Sequence, residues 1–495
     1  MIISPGIISL LLLVGFILTS LAIPVAKKIA EKYGLVSFPR EPSRRRDPIP
    51  LLGGVAIYLP FALVFTVFFT LLLLGNLALT QPTKAKMLAL FLGTTWILVL
   101  GIIDDKETLG WRQKLLGQFF GGVILVLGGH TLDWVTLPLI GPVDFGWYGI
   151  PLFILAVIVV TNAINLIDGL DGLAGGICFF AALTSSVVAL VKGDYFTTVI
   201  GFTISGSLLG FLMFNYPPAS IFLGDGGSMM LGFLLGTLAT SSAAVSPGQR
   251  LGTSFMILVP FLPLSVPLFE LTLSVFRRWI KGQAIFLGDG NHLHHRLLVT
   301  IKNPRLTIAI FYLFSTALCV LTLLAIFEES LFMRWTLGSL IALLLLAGAL
   351  GSIRLYQFNN LSLVLQNRPH FKFLGRFRRS MKKRVRHSQS LPELLSLLAS
   401  GVQDLGFDSL EVASNGRILK KWVNPSPLHP GSPRIYSEDT LPESELIIRW
   451  VRPTHDDETY NEYLVLTWHR FLLNLKNRIA TQPRESLPVN LAEPV

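Results

Sequence analysis

The stretch that decides the fold reads IPLFILAVIVVTNAINLIDGLDGLAGG and covers residues 150–176. It begins as a continuous apolar run and ends in two asparagines and two aspartates, which are Asn162, Asn165, Asp168 and Asp171. The apolar part is typical of a membrane-spanning helix. Polar groups beside lipid cost free energy unless they bind a partner, so this end of the helix predicts a functional site at the membrane boundary.

The composition of the whole chain also indicates a membrane protein. Of its 495 residues, 52% are hydrophobic and 14% are charged, and the mean hydropathy is +0.60. A soluble protein carries about a quarter charged residues, so a soluble enzyme is excluded. Cys178 and Cys319 lie in apolar runs and are predicted to be packing residues rather than a disulfide. The net charge of +11 is concentrated in a few loops and the tail, which favours a membrane surface or phosphate ligands over nucleic acid.

Eleven apolar runs are candidate membrane spans. They lie near residues 6–25, 51–75, 86–103, 114–130, 149–166, 174–191, 196–214, 228–245, 252–275, 306–326 and 335–353. The first run has no basic stretch before it and no small-residue cleavage site after it, so we interpret it as a retained helix. We therefore predict an all-α polytopic transmembrane domain over residues 1–353, with about eleven transmembrane helices.

The loop charges predict the orientation of this domain. Sixteen lysines and arginines lie in residues 27–46, 106–114 and 277–305, which follow the first, third and ninth spans. The opposite loops hold five, which are Lys84, Lys86, Lys192, Arg250 and Arg334. Because cytoplasmic loops are enriched in lysine and arginine, we expect the N-terminus outside and the C-terminus in the cytoplasm. The polar end of the opening stretch then faces the cytoplasm.

The chain becomes polar after the last span. Residues 354–388 are predicted as a basic juxtamembrane linker, which is either a solvated segment or a binder of lipid headgroups. Residues 389–482 show helical periodicity followed by alternating strands around Asn415-Gly416, a hairpin signal. They predict a small soluble cytoplasmic α/β domain of unassigned role, and residues 483–495 form a tail.

Two of the cytoplasmic loops place charged residues next to apolar runs. RRRDPIPLLGG, residues 44–54, is either a proline turn at the membrane edge or a place where Gly53 and Gly54 let the backbone approach a phosphate ligand. Asp104 and Asp105 end the third run with no linker, where the helix dipole disfavours anions. A cation or a proton between the two carboxylates resolves their repulsion, and Lys114 is a candidate partner or phosphate ligand.

Three further loops carry residues of the kind that bind metals and phosphates. In the opening stretch, the spacing of three places Asn162, Asn165 and Asp168 on one helix face, and Asp171 can turn back toward it. Their oxygens suit Mg²⁺ or a ribose and base edge. Asp225 lies in a Gly-Asp-Gly-Gly-Ser turn, residues 224–228, that opens the eighth run, where a helix N-terminus favours an anion or a phosphate.

The loop HLHHRLL contains His292, His294, His295 and Arg296. No cysteine lies near it and its surroundings are basic, so phosphate binding is favoured over zinc. By the charge count all five loops lie on one side of the membrane. An acidic and a basic cluster on one face predict a site for Mg²⁺ and a diphosphate.

Together these loops resemble the polyprenyl-phosphate N-acetylhexosamine-1-phosphate transferase family (glycosyltransferase family 4). The motifs that carry the resemblance are PIPLLGG, DDKETLGWRQK, NAINLIDGLDGLAGG, PASIFLGDGGS and HLHHRL, in that order over residues 1–353. The family implies that a lipid phosphate attacks the β-phosphate of a UDP-sugar with Mg²⁺, or with Mn²⁺ as an alternative ion. The products are lipid-diphospho-sugar and UMP. Such a transfer depends on positioning and charge neutralisation rather than on covalent chemistry of the protein.

The resemblance also implies residue roles. Asp225 looks like the principal metal ligand and Asn165 a second one. Asp104 and Asp105 would orient or deprotonate the lipid phosphate, and Asp168 is grouped with them as catalytic. Lys114 and Asn162 resemble positions that hold the lipid phosphate. The remaining residues would bind the nucleotide sugar: Asp168 and Asp171 at the nucleotide pocket, Phe222 on the uracil, and Gly53, Gly54, His292, His294, His295 and Arg296.

Two branches of the family differ in these motifs. The branch that makes the first peptidoglycan lipid carries a three-histidine run and a Pro-Thr-Met-Gly-Gly loop, whereas this chain has His-Leu-His-His-Arg and Pro-Leu-Leu-Gly-Gly. The chain therefore resembles the branch that starts other envelope glycans from UDP-GlcNAc and undecaprenyl phosphate. The expected location is the bacterial inner membrane, and a homodimer is left open. Transfer of phospho-MurNAc-pentapeptide is the alternative reaction.

Two hypotheses from other classes are less consistent with the pattern. A transporter with an ion path would need polar residues in the middle of its spans and broken helices in paired repeats. Here the polar groups sit at helix ends on one side. A catalytically silent scaffold acting through its tail would not require the complete set of acidic positions.

Overall fold

The computed structural model describes residues 4–37, 48–75, 84–137, 141–243, 259–280, 292–327, 368–388, 390–414, 417–423, 434–441 and 446–453, together with single positions at 338 and within 464–475. The chain divides into two compact units. The first contains residues 1–274 and 288–357, and the second contains residues 275–287 and 358–495. The arginines at 44–46 and the predicted span 335–353 lie outside the described residues.

The first unit is built from long apolar helices. In chain order the helices are α1 (Pro5–Tyr33), α2 (Gly53–Leu73), α3 (Lys84–Glu107), α4 (Trp111–Leu127), α5 (Gly149–Ile167), α6 (Leu173–Val191), α7 (Tyr195–Asn215), α8 (Gly224–Ala243), α9 (Ser265–Ile280), α10 (Leu293–Ile301) and α11 (Pro304–Phe327). The first residues of α9, up to 274, belong to this unit, and the remainder to the second. Two short antiparallel pairs join the helices: β1 (Val36–Ser37) with β2 (Ile49–Pro50), and β3 (Trp134–Leu137) with β4 (Gly141–Asp144).

Seven helical segments of the described residues are long and apolar enough to cross a bilayer. They comprise α1, α2, α3, α5 with the turn before it, α6, α7 and the first 21 residues of α11. The prediction of a polytopic helical membrane protein is thereby confirmed, whereas the count of eleven spans and the orientation stay predictions.

Helix α8 lies at the centre of the first unit. It packs against α2, α3, α5 and α6, and Met230, Phe233 and Leu234 are fully buried. Because its neighbours are protein rather than lipid, α8 can carry small and polar residues such as Ser228 and Thr237 along its length. Its position matters for function, because its first turn carries Asp225.

The second unit contains two described helices and a four-stranded sheet. Helix α12 (Arg368–His387) lies within the segment predicted as a linker, and α13 (Leu391–Asp404) follows it. Strands β5 (Ser409–Ser414), β6 (Arg417–Val423), β7 (Arg434–Leu441) and β8 (Leu446–Pro453) form an antiparallel sheet in the order β6-β5-β8-β7. The pairing of β5 with β6 confirms the predicted hairpin. One face of the sheet, with Leu410 and Trp450, joins the helices in an apolar core.

Candidate active site

A lysine joins two carboxylates where α3 ends and α8 begins. Lys114, in the first turn of α4, contacts the Oδ2 atom of Asp104, and its Nζ lies 3.1 Å from Oδ2 of Asp225. Asp104 is buried, and its other oxygen accepts a hydrogen bond of 2.7 Å from the backbone N–H of Leu109. Three helix ends thus converge on one cation, and that of α8 is 111 residues away from Lys114 in the sequence. The predicted pairing of Lys114 with the aspartates is a feature of the structure.

Asp105 has a different task from its neighbour. Its two oxygens accept hydrogen bonds from the backbone N–H groups of Asp225, at 2.8 Å, and Gly226, at 3.1 Å. The carboxylate of Asp105 therefore caps the N-terminus of α8, where unpaired N–H groups and the helix dipole favour an anion. The adjacent aspartates diverge because one contacts the lysine and the other contacts a helix end. Asp105 fixes the backbone that carries Asp225.

Close packing of glycines brings these helix ends together. A Cβ atom at Gly101 of α3 would overlap the backbone of Gly226, and one at Gly54 of α2 would overlap Gly227. A Cβ at Gly53 would likewise meet the ring of Phe211 and the carbonyl oxygen of Phe222. Gly53 and Gly54 therefore let α2 approach the start of α8. The close approach that they permit in the structure is to other parts of the protein and not to a ligand. Their contact with a nucleotide sugar stays a prediction.

The asparagines of the opening stretch face α8 and α4. The Nδ2 atom of Asn165 donates to Oδ1 of Asp225 at 2.8 Å and to Oγ of Ser228 at 2.9 Å. Asn165 is thus in contact with the predicted metal ligand through its nitrogen. Its oxygen, which is the atom a metal would bind, takes no part in these two bonds.

Asn162 lies one turn earlier on α5 and pairs with a buried glutamine. Its Nδ2 atom donates to Oε1 of Gln118 at 2.7 Å and to the carbonyl oxygen of Ile158 at 2.8 Å. Both of its N–H groups are therefore used within the protein. A direct bond from Asn162 to a lipid phosphate would require this pair to open, and the predicted role stays a prediction. Gln118 follows Lys114 by one turn of α4, so the pair also ties α5 to the helix that carries the lysine.

The turn between α5 and α6 is held by three other elements. Gly172 has φ = 79°, in the left-handed region that favours glycine, and its N–H donates to Oδ1 of Asn215 at 2.8 Å. Its carbonyl accepts a bond of 2.6 Å from the hydroxyl of Tyr312 on α11. Oδ2 of Asp171 accepts from the N–H of Ala219 at 2.8 Å. The turn is thus joined to the segment before α8 and to α11.

Asp168 ends α5 and faces the other carboxylates. Burial raises the pKa of Asp168 to about 8, and the negative charges of Asp225, Asp105 and Asp171 add to this effect. The neutral form therefore predominates at pH 7. Together with Asp104, five aspartates lie in this region, and Lys114 pairs with only two of them, so a cation that entered here would be stabilised.

The histidine loop lies against the same turn. A Cβ on Gly169 would stand 2.7 Å from Nε2 of His294, and the ring centroids of His294 and His295 are 4.4 Å apart. Glu270 of α9 organises the loop: its Oε1 accepts from the N–H of Leu293 at 2.7 Å and lies 3.5 Å from Nδ1 of His292. The histidine loop and the aspartate turn are thus neighbours in the structure.

His294 is buried and carries little positive charge. Burial lowers its pKa to about 3, and the neighbouring His295 and His292 lower it further. It would therefore meet a phosphate as a neutral ring, and any cation for the sugar-phosphate end would come from another side chain. Arg296 lies in the first turn of α10, where its N–H donates to the carbonyl oxygen of His292 at 3.0 Å.

Phe222 joins the proline loop to the glycine turn. Its N–H donates to the carbonyl oxygen of Pro50 at 2.8 Å, and its own carbonyl accepts from the N–H of Gly53 at 3.0 Å. The backbone of Phe222 thus fixes two of the predicted motifs against each other. Its ring is partly buried, and its stacking on a uracil stays a prediction.

The donor atoms near Asp225 fit Mg²⁺ better than a transition metal. No three His, Cys, Asp or Glu side chains of the described residues form a preformed metal cage. Mg²⁺ does not require such a cage, because it keeps several waters and binds through one or two carboxylates and substrate phosphates. Asp225 supplies a carboxylate that is about one-third exposed, and Lys114 already occupies a cation position beside it. The chemistry of the site therefore suits Mg²⁺ held between Asp225 and a diphosphate.

Five residues at or around the site did not emerge from the sequence. They are Gln118, Asn215, Ser228, Glu270 and Tyr312. Polar residues inside apolar runs could have marked Gln118, Ser228 and Glu270. Asn215 and Tyr312 contact only the backbone of Gly172 within this turn, and no pattern in the sequence signals such a bond.

The sequence of the chain is similar to those of a known protein family. The family model described as glycosyl transferase family 4 matches residues 87–243, which span α3 to α8. A probable undecaprenyl-phosphate N-acetylglucosaminyl 1-phosphate transferase of Bacillus subtilis is 34% identical over 307 residues, covering 61% of this chain and 81% of the relative. The chain belongs to glycosyl transferase family 4.

Other members extend the comparison. A decaprenyl-phosphate N-acetylglucosaminephosphotransferase of Mycobacterium leprae is 33% identical over 318 residues, with 61% of this chain and 79% of the relative covered. A phospho-N-acetylmuramoyl-pentapeptide-transferase of Moorella thermoacetica is 34% identical over 264 residues, which cover 50% and 76%. The predicted family and the prediction of a phosphotransferase are confirmed, and the N-acetylglucosamine enzymes match over more of the chain.

Proposed function

We propose that this protein transfers a HexNAc-1-phosphate, namely GlcNAc-1-phosphate, from a UDP-sugar to undecaprenyl phosphate or a related polyprenyl phosphate. The reaction requires Mg²⁺, releases UMP and starts a lipid-linked cell-envelope glycan. The names of the relatives support the acceptor and the sugar, since the Bacillus and Mycobacterium proteins are named for N-acetylglucosamine and a polyprenyl phosphate. The single structural observation that carries the proposal is the position of Lys114 between Asp104 and Asp225.

The side chains suit an in-line phosphoryl transfer. Lys114 can bind the lipid phosphate while Asp104, which contacts the same ammonium group, orients it or takes its proton. Asp225 would hold the metal, which would neutralise the charge of the bound diphosphate. Asp105 fixes Asp225 through the backbone of α8, so the carboxylate that would hold the metal is positioned before either substrate arrives.

The remaining predicted residues supply the donor side of the site. Asp168 and Asp171 belong to the turn that faces the nucleotide, with Phe222 as the stacking surface for the uracil. The histidine loop lies beside the same turn and receives the sugar-phosphate end, with Arg296 as a candidate charge partner. In this proposal the site faces the cytoplasm, where nucleotide sugars are made, and the protein resides in the bacterial inner membrane with its N-terminus outside.

A direct assay tests the proposal. Purified protein in detergent is given undecaprenyl phosphate and Mg²⁺, and UMP is measured with UDP-GlcNAc, other UDP-HexNAc sugars and UDP-MurNAc-pentapeptide in turn. We expect UMP with UDP-GlcNAc, and its loss when EDTA removes the metal. Turnover of the pentapeptide substrate alone would establish the alternative reaction. No UMP from any donor with an intact, monodisperse protein would overturn the proposal. Reporters fused after Met1 and Val495 test the orientation separately.

A further inference from the structure

The strongest surface feature outside the active site is the charge pattern of α12 in the second unit. Its twenty residues contain no aspartate or glutamate. Arg376, Arg379, Lys383 and Arg386 are exposed and follow one another at intervals of three, four and three residues. This spacing places them on one face of the helix, over a length of about 15 Å.

The opposite face of α12 is already occupied. Leu374, Phe377, Met381 and Val385 are buried in the apolar core that α12 shares with α13 and the sheet. The ring of Phe377 packs edge-on against Phe471, with centroids 6.1 Å apart. Side chains engaged in this way cannot insert among lipid acyl chains. Phe373 is the exposed exception among the large apolar side chains described on α12, so contact of the basic face with a membrane would be mainly electrostatic.

We propose that the Arg376–Arg379–Lys383–Arg386 face of α12 docks on anionic phospholipid headgroups and holds the second unit at the membrane surface. The positive charge of this face is complementary to an anionic lipid surface. No acidic residue of α12 itself balances that charge. The chain is anchored in the bilayer by the spans of the first unit, and 40 residues separate the end of α11 from α12. Because both units belong to one chain, the second unit stays at a high effective concentration near lipid, so weak contacts suffice.

The magnitude of the attraction can be stated as a fold-change. Each lysine or arginine close to an anionic membrane surface strengthens binding by about fivefold at low salt. Replacement of two residues should therefore lower the ratio of docked to undocked protein by about thirtyfold. Because the contact lies in water, it should weaken sharply as salt shortens the range of the interaction to about 3 Å at 1 M.

The experiment uses the full chain in nanodiscs. A fluorophore is attached through Ser380→Cys, at an exposed position on α12, and energy transfer to a headgroup-labelled lipid is measured. The native cysteines are buried in the first unit. We expect higher transfer in discs with phosphatidylglycerol than in phosphatidylcholine alone, and loss of the difference at high salt. Arg379→Gln with Lys383→Gln should abolish the difference.

A matched pair provides the control. Lys420 and Lys421 are exposed on β6 of the same unit, and their replacement by glutamine changes the net charge equally while leaving the α12 face intact. Equal loss with both pairs would mean a response to net charge and would overturn the proposal, as would equal transfer in the two lipids. Transfer that rises with UDP-GlcNAc or polyprenyl phosphate in phosphatidylcholine discs, and not with phosphatidylglycerol, would identify a substrate as the occupant and likewise overturn it.

A second inference concerns Tyr312 and is carried by contacts within the first unit. Its hydroxyl donates to the carbonyl of Gly172, and its ring fills the space where a Cβ of Gly176 would stand. Tyr312 lies on α11, beyond the residues that match the family model. The same helix is joined to the next loop, because Nε of Arg305 donates to the carbonyl of Pro217 at 3.2 Å.

The geometry points to Tyr312 as a positioning residue for the nucleotide half of the site, an inference that rests on the proposed function. Its bond to Gly172 fixes the turn that carries Asp168 and Asp171. Loss of one such bond corresponds to about a three- to tenfold change in an equilibrium. Tyr312→Phe should therefore raise KM for the UDP-sugar by about that factor, with KM for polyprenyl phosphate and kcat changed less than twofold.

Tyr58→Phe is the matched control, since it removes a hydroxyl that bonds Thr95 at 2.7 Å elsewhere in the bundle. Both variants should lose a similar amount of thermal stability, and only Tyr312→Phe should raise KM for the donor. Equal KM values in wild type and Tyr312→Phe, or equal increases in both variants, would overturn the positioning role. Absence of turnover in the wild type would instead contradict the proposed function, so the two failures are distinguishable.

Discussion

Three helices, α3, α4 and α8, carry polar side chains near both of their ends, and the two ends are built differently. At one end Asp104, Lys114 and Asp225 meet, with further carboxylates close by. At the other end His130, just after α4, lies between the carbonyl of Lys86, at 3.1 Å from its Nε2, and Oγ of Ser241, at 3.2 Å from its Nδ1.

The two ends differ in how completely their polar groups are paired. Both ring nitrogens of His130 have partners, and the ring stacks on Phe153 with centroids 5.8 Å apart. Such a cluster adds stability and needs no ligand. The aspartate end carries more negative charge than Lys114 balances. The resulting repulsion destabilises the protein until a cation binds there. Buried polar groups whose hydrogen bonds are all made within the protein therefore do not indicate a binding site. Buried charges that lack a balancing partner do indicate one.

The largest effect is expected at Asp225. Asp225→Asn should lower turnover by about a thousandfold, because an amide neither balances the charge of a metal nor replaces a carboxylate ligand. Thermal stability should change little, since the side chain is partly exposed. UMP release and melting temperature measure the two effects. Asp133→Asn, an exposed residue near the opposite end, is the control, and near-normal Mg²⁺-dependent turnover in Asp225→Asn would refute the assignment.

Lys114→Gln should reduce turnover by about a hundredfold. Without the ammonium group, Asp104 and Asp225 face each other unneutralised, and the lipid phosphate loses a charge partner. We therefore expect a raised KM for polyprenyl phosphate together with a lower melting temperature. The exposed Lys106 of α3 provides the comparison through Lys106→Gln. If KM for the UDP-sugar rose and KM for the lipid did not, the lysine would serve the donor.

Asp105→Ala should act through the structure of α8. It removes both acceptors for the N–H groups of Asp225 and Gly226, which costs about 1 to 2 kcal/mol of unfolding free energy. Because Asp225 is displaced as well, turnover should fall about tenfold. Chemical denaturation and UMP release are the measurements, with Glu107→Ala at the exposed end of the same helix as the control. Full loss of turnover at unchanged stability would make Asp105 a direct participant instead.

Asp168 predicts a loss of stability as the pH rises. Its pKa is raised from the ordinary value of 3.8 to about 8, so its contribution to stability is complete below pH 3.8 and is lost as the pH rises through 8. The slope is at most about 1.4 kcal/mol per pH unit. In EDTA, Asp168→Asn should melt above the wild type at pH 8.5 and at the same temperature near pH 4. Parallel pH profiles would contradict this.

The smallest effect on activity is expected at His130. His130→Phe keeps the ring stacked on Phe153 but leaves Ser241 and the carbonyl of Lys86 without that partner, so the protein should lose about 1 to 2 kcal/mol. Turnover and both KM values should change less than twofold, because the cluster lies at the far ends of the same helices. A large loss of kcat with unchanged stability would show that the two ends are coupled.

The sequence by itself determined the membrane class, the family and the residues of the acidic cluster. A run of about 20 apolar residues must be buried in lipid or in a large protein core. Several such runs in one chain therefore indicate a membrane protein. Asp104, Asp105 and Asp225 were recognisable because charges at the ends of such runs cost free energy unless they have partners. Asn165 was found for the same reason, whereas its contact with Asp225 was not.

Only the tertiary structure decided how these residues divide the work. Asp104 and Asp105 are adjacent in sequence, yet one contacts Lys114 and the other caps α8, because successive residues of a helix point about 100° apart. The glycine contacts that permit this, such as Gly101 against Gly226, join positions more than a hundred residues apart. Tyr312 shows the same limit, since its bond to Gly172 depends on where two helices meet and not on any local pattern of the sequence.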